Sequence, residues 1–353
     1  MEKVEINISR LRYLQDIFGI SDDELLARIS MGLKNPIKTN DIYSGEVKLS
    51  HLKRIDKIFD KGIYFYLDPA NMTASETDSV FFRKKSFNSN LKIEDKKIVA
   101  QFETLKHYIS GISKLSHFHT NRKLPVYKVS DEPKKVALDI RPLLHPNIKG
   151  KNQKSFLRAL IQSFSDKNIY VFEFIEHSNK KERSDIDGFF LKPNTIVIKR
   201  DSSFSYKREI FTLLHELGHY LIDDEEIDQL NGTDVIGYGD PYEKWCHEFA
   251  YYFLAGEHAK VIEDLPPVGI ENGFMRDIIS NISDETRLSE LALYTRLLLC
   301  KKITFAGYKR IKETLVHEFL SMKEEEKQKR ELQKALGLSS EFISPPKPII
   351  GHL

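Results

Sequence analysis

Apolar residues recur at helical spacing over the first sixty positions. Ile8, Leu11, Leu14 and Ile17 share one face, and Gly19 stops that helix. Ser21-Asp22-Asp23-Glu24 forms a capping box ahead of Leu25, Leu26 and Ile29. A polar stretch runs from Asn35 to Glu46. Leu49, Leu52, Ile55, Ile58 and Phe59 mark a last helix, ended by Lys61-Gly62. The pattern predicts a small helical domain over 1–69, with Ile63 to Pro69 as an apolar exit arm packed beneath it. Residues 70–135 read as a linker with an aromatic anchor, Phe81-Phe82, and then a long amphipathic helix from Ile93 to about Phe118.

The pattern changes over 136–256. Lys154 to Phe164 keeps helical spacing, but Ile169 to Phe174 reads as a strand. After a charged loop over 179–185, Ile186 to Leu191 and Thr195 to Ile198 read as two strands joined across Lys192-Pro193-Asn194. A small antiparallel sheet is expected, with two buried helices following it, around Phe211 to Ile222 and Tyr242 to Leu254. Residues 257–353 read as a helical region: a Pro-Pro turn among short helices, a strongly charged helix from Lys309 to Leu336, and an extended or disordered tail from Ser344. Helices and strands fall in separate blocks, so the expected class is α+β.

Composition narrows the setting. With 353 residues, two or three domains can each hold a core. Apolar content of 41% and charged content of 30% fit a soluble globular protein. The formal net charge of +2 leaves any nucleic-acid face local. Two cysteines, Cys246 and Cys300, make no disulfide framework. No stretch is apolar enough for a signal or a membrane span, so a cytoplasmic location is expected and no membrane partner.

One stretch carries chemistry. Phe211-Thr212-Leu213-Leu214-His215-Glu216-Leu217-Gly218-His219-Tyr220 contains H-E-x-x-H. Residues four apart share a helix face, so His215 and His219 can hold one metal ion, with Glu216 beside it to deprotonate a water. Two histidines and a glutamate aimed at one point inside an apolar helix are costly unless paired or metal-bound. A hydrolytic zinc takes three protein ligands and keeps one open position. Candidates for the third are Asp223, Asp224, Glu225, Glu226, Glu243, His247 and Glu248. The acidic cluster 223–226 reads as a solvated exit loop. Glu243 opens the second buried helix and leads on spacing and hard-ligand chemistry. His247, one turn later, is the alternative ligand or a donor to the oxyanion of the tetrahedral intermediate. Cys246, flanked by Trp245 and Phe249, reads as packing. The donor set also accepts Mn²⁺ or Fe²⁺.

Arg208-x-x-Phe211-Thr212-Leu213-x-His215-Glu216-Leu217-Gly218-His219 resembles the signature of the ImmA/IrrE metallopeptidases. That family's second motif, E-x-x-A-N-x-F-A-x-x-L-L-M-P, is met here by Glu243, Phe249, Ala250 and Leu254. Cys246 and His247 stand for its Ala and Asn, and Ala255-Gly256 for its Met-Pro. Val136-Ala137-x-x-Ile140-Arg141, Ile186-x-Gly188-Phe189 and Tyr294-x-Arg296-Leu297 fit further parts of the pattern. Ile42 to Glu46 and Leu49 to Phe59 resemble an XRE-type helix-turn-helix, a common fusion ahead of this peptidase. Lys34, Lys38, Lys48, Lys53 and Arg54 could touch phosphates there. The resemblance implies a helix-turn-helix-like domain over 1–69 and a zincin-like peptidase over 136–256. It implies Zn²⁺ on His215, His219 and Glu243, with Glu216 as general base. The implied substrate is a protein, a transcriptional repressor of stress or mobile-element genes, with DNA as a possible partner of the N-terminal domain. The rival reading is a DNA-binding regulator or antitoxin-like protein whose peptidase-like domain is a sensor.

Overall fold

The computed structural model describes residues 2–70, 72, 79–83, 91–117, 121–148, 152–175, 184–200, 206–225, 227–229, 240–267, 273–335 and 349–352. The chain divides into two compact units. The first is Met1–His119 with Lys181–Asp185, and the second is Thr120–Lys180 with Ile186–Leu353. Among the described residues, no helix is long and apolar enough to cross a membrane.

The first unit contains β1 (Lys3–Glu5), α1 (Ile8–Phe18), α2 (Asp22–Ser30), α3 (Asn40–Tyr43), β2 (Glu46–Lys48), α4 (Leu49–Phe59), α5 (Ile63–Leu67), α6 (Val80–Arg83) and α7 (Ile93–Leu115). Its helix ends follow local chemistry. Gly19 closes α1 in the left-handed region at φ 62°, where a side chain would be strained. Ser21 Oγ accepts from the Glu24 amide at 3.2 Å and opens α2. Residues 31–39 are not helical, and α3, which follows, has only four residues. Of the five basic residues singled out above, Arg54 is engaged inside the unit. Its guanidinium donates to the Ile29 and Met31 carbonyls at 2.9 and 3.1 Å and so caps α2.

The exit arm is the helix α5, and its Tyr66 carbonyl accepts from the Asn7 amide at 2.7 Å. A five-residue apolar run carries too little periodicity to separate helix from strand. The aromatic anchor, Phe81-Phe82, lies on α6 and clusters with this unit. Phe81 is buried, and Glu103 on α7 accepts from Ser79 Oγ and the Val80 amide, both at 2.7 Å. The long amphipathic helix α7 also clusters with this unit, and its Lys96 Nζ donates to the Phe18 carbonyl at the end of α1 at 2.7 Å. The remaining linker positions, 71, 73–78 and 84–90, lie outside the described residues.

The second unit contains α8 (Pro133–Leu144), α9 (Gln153–Ser165), β3 (Tyr170–Ile175), β4 (Ile186–Leu191), β5 (Thr195–Arg200), α10 (Lys207–Leu221), β6 (Ile227–Gln229), α11 (Pro241–Ala255), α12 (His258–Asp264), α13 (Gly273–Thr286), α14 (Glu290–Leu299), α15 (Phe305–Ala335) and β7 (Ile349–His352). The strands form a five-stranded sheet in the order β6-β4-β5-β3-β7. β4 and β5 form the expected hairpin, but β3 runs parallel to β5, so the sheet is mixed and not antiparallel. Alternation along a strand reports its faces and not its neighbours. The tail, expected to be extended or disordered, supplies β7, which pairs antiparallel with β3 from Val171↔His352 to Phe174↔Ile349. Residues 344–348, and 179–183 of the charged loop, lie outside the described residues.

One face of this sheet joins the helices in a single core that includes Phe156, Leu160, Phe190, Ile198, Leu213, Leu217, Phe249 and Phe253. Two half-buried arginines tie the helices that hold α11. Arg141 Nε on α8 donates to the Phe253 carbonyl at 2.8 Å. Arg296 on α14 donates to Glu263 on α12 at 2.8 Å and pairs with Glu248 on α11 at 3.6 Å. Both match positions of the motif noted above, and both anchor the helix that carries Glu243.

Candidate metal centre

Helix α10 presents its side chains in three directions. Leu213, Leu214 and Leu217 enter the core. Glu216 and Thr212 point at β4. His215 and His219, one turn apart, point at α11. Every residue from Thr212 to Leu221 is buried.

Two glycines let this helix come close to its neighbours. A Cβ added at Gly218 would lie 3.0 Å from Cα, Cβ and Sγ of Cys246, so α10 and α11 touch almost backbone to backbone. Cys246 is the packing residue expected, and burial raises its thiol pKa. A Cβ added at Gly188 on β4 would lie 2.6 Å from Thr212 Cγ2 and 3.0 Å from Glu216 Oε1. The bare strand is what gives the Glu216 carboxylate its place. Gly188→Ala is expected to lower unfolding stability by about 1–3 kcal/mol, as overpacking does. Adding Thr212→Ser, which removes the nearer methyl, should recover part of that loss in a denaturant titration. Equal stability of Gly188→Ala and wild type would contradict the close approach. The sequence signal for both positions was available, since glycine is disfavoured inside a strand or helix unless something approaches closely.

The contact at Gly218 sets α11 so that Glu243, in its first turn, faces the two histidines. His215 Nε2 and His219 Nε2 are 3.1 Å apart. Glu243 Oε2 lies 3.2 Å from His215 Nε2, and Oε1 lies 3.2 Å from His219 Nε2. The three ligand atoms fall within 4.8 Å of one another. Bonds of about 2.0–2.2 Å in a tetrahedron put neighbouring zinc ligands about 3.3–3.6 Å apart. The observed spacing is close to that edge.

The donor chemistry fits a cation as well. Two imidazole nitrogens and a carboxylate oxygen turn their lone-pair positions to one point. A neutral imidazole carries one N–H, and His219 Nδ1 is buried with no hydrogen-bond partner among the described residues. With its proton on Nδ1, His219 presents a lone pair at Nε2 to the shared point. Burial holds the His219 pKa below its usual value, which keeps the ring neutral and ligand-competent. Burial opposes ionisation of Glu243, but the two histidine rings whose Nε2 atoms face its oxygens outweigh it and hold the carboxyl below its ordinary range.

The other candidates lie elsewhere. Asp223 pairs with Lys192 Nζ at 2.9 Å on the exit turn. The Asp224 amide donates to the His219 carbonyl at 3.0 Å. Glu225 is buried and accepts from the Lys192 amide at 2.8 Å. Glu248 pairs with Arg296, and Glu226 lies outside the described residues. His247 is not among the three converging side chains. Its ring packs edge-on against His215 at 4.5 Å between centroids and against Phe211 at 5.5 Å. Burial holds its pKa at about 3, so it is neutral near pH 7.

No curated protein and no solved structure matches this chain. Residues 164–259, which run from the end of α9 through β3, β4, β5, α10, β6 and α11 into α12, match the family model Peptidase_M78, the IrrE N-terminal-like domain, and this supports the likeness to ImmA/IrrE metallopeptidases drawn from the motifs.

Proposed function

We propose that the protein is a zinc-dependent endopeptidase. The observation that carries this reading is the convergence of His215, His219 and Glu243 on one point, with Glu216 adjacent on the same helix. His215, His219 and Glu243 would hold the ion. Zinc bound there supplies Lewis acidity, polarising a peptide carbonyl and bringing the pKa of a water to about 7. Glu216 takes the proton of the attacking water on a carboxylate oxygen and gives it to the leaving amine. Its packing against Gly188 holds that oxygen in place through both transfers. His247, neutral and seated against His215, orients that ligand or donates to the oxyanion.

The likeness to ImmA/IrrE proteins makes a transcriptional repressor the proposed substrate class, and the cytoplasm the place of action. The test is to incubate the full-length protein with the repressor encoded beside its gene. Cleavage is expected with zinc, lost with a chelator and restored by added zinc. Cleavage that persists through chelation, or none with zinc loaded, would overturn the reading.

A further inference from the structure

The sheet has two outer edges, and the chain closes both with its own short strands. On the β3 side the cover is β7, four residues long. On the β4 side it is β6, three residues long. Only the second edge lies beside the candidate centre, because β4 carries Gly188, whose Cα is the backbone against which Glu216 rests.

A protein segment that adds to a sheet needs a free row of amide and carbonyl groups. On β4 that row is engaged by Ile227–Gln229, with Gly188 opposite Asp228 and Phe189 opposite Ile227. The pairing is short, and its register breaks between Ile186 and Gly188, at the residue that faces Glu216. Strands in globular proteins commonly run to about five or six residues. The cover over this edge is therefore the weakest part of the ladder. A peptide lying outside β6 instead would sit one further strand spacing, about 4.8 Å, from Gly188 and Glu216.

We infer that β6 holds the place of the substrate: an extended protein segment reaches the site by displacing Ile227–Gln229 and pairing with β4 over Ile186–Phe189. The inference rests on the peptidase reading above. The partner it fits is an unfolded stretch of protein, recognised through main-chain hydrogen bonds beside Gly188.

The test uses the full-length, zinc-loaded protein and two probes: acetohydroxamate, which reaches only the metal, and a tripeptide hydroxamate, which must also lie along the edge. Asp228→Pro with Gln229→Pro removes a ladder amide whichever way β6 faces. It should tighten the tripeptide probe by about tenfold or more and leave acetohydroxamate unchanged. Ile186→Cys with Gln229→Cys joins opposed residues of the two strands. Oxidised, it should weaken the tripeptide probe by about tenfold or more, with recovery on reduction. Unchanged tripeptide affinity in both variants, or weaker binding in the proline variant, would overturn the displacement. Failure of the wild type to bind zinc or acetohydroxamate would instead overturn the peptidase reading beneath it.

Discussion

Glu216→Gln is expected to lower proteolytic turnover by about 10²–10⁴-fold, the share that a positioned general acid–base contributes. Zinc content should stay that of the wild type. The separation follows from the geometry. Glu216 points toward β4, where its Oε1 would be 3.0 Å from a Cβ at Gly188, while the three converging side chains point toward α11. Glutamine keeps the shape and the packing against Thr212 and Gly188. It loses only the basic oxygen that accepts a proton. The result is read from kcat with metal content measured on the same sample. Turnover within a few-fold of wild type, at equal zinc loading, would remove Glu216 from the mechanism.

Glu243→Gln should have the opposite signature, losing zinc as well as activity. Glu243 lies on a helix that meets α10 only through the fold, at the Gly218–Cys246 contact. Its two oxygens reach His215 and His219 at 3.2 Å each. Glutamine removes the charge and one strong oxygen donor while keeping volume. Zinc affinity should fall by more than the roughly 10- to 100-fold that outer-shell changes cost. His247→Ala is the matched control. It should keep zinc and lose turnover, by about 10²-fold if the ring serves the oxyanion. Metal analysis of the two variants side by side decides between them. Loss of zinc in His247→Ala with retention in Glu243→Gln would replace the carboxylate by a third histidine.

The convergence of His215, His219 and Glu243 follows elements that the sequence displays openly. The spacing of H-E-x-x-H places two rings on one helix face, and Asp240 and Pro241 open the next helix so that Glu243 falls in its first turn. The β4–β5 hairpin and the cap at Ser21 were legible for the same reason, since each is set by residues close in the chain. What was not legible depends on distant partners. No periodicity tells Tyr170–Ile175 that it will run parallel to β5. Ile227–Gln229 and Ile349–His352 are too short to alternate, and their pairing is imposed by the edges they meet. Gly188 and Gly218 are glycines inside regular elements. What they make room for, a carboxylate in one case and a helix backbone in the other, appears only with the fold.

The central claim is that His215, His219 and Glu243 hold zinc, and X-ray absorption at the zinc edge of the loaded full-length protein tests it most directly. One zinc per chain is expected, with two imidazole nitrogens at about 2.0–2.1 Å and the remaining scatterers oxygen at about 2.0–2.2 Å. A sulfur shell at about 2.3 Å would place Cys246 on the metal. That shell, three imidazoles, or no bound zinc would contradict a centre of His215, His219 and Glu243.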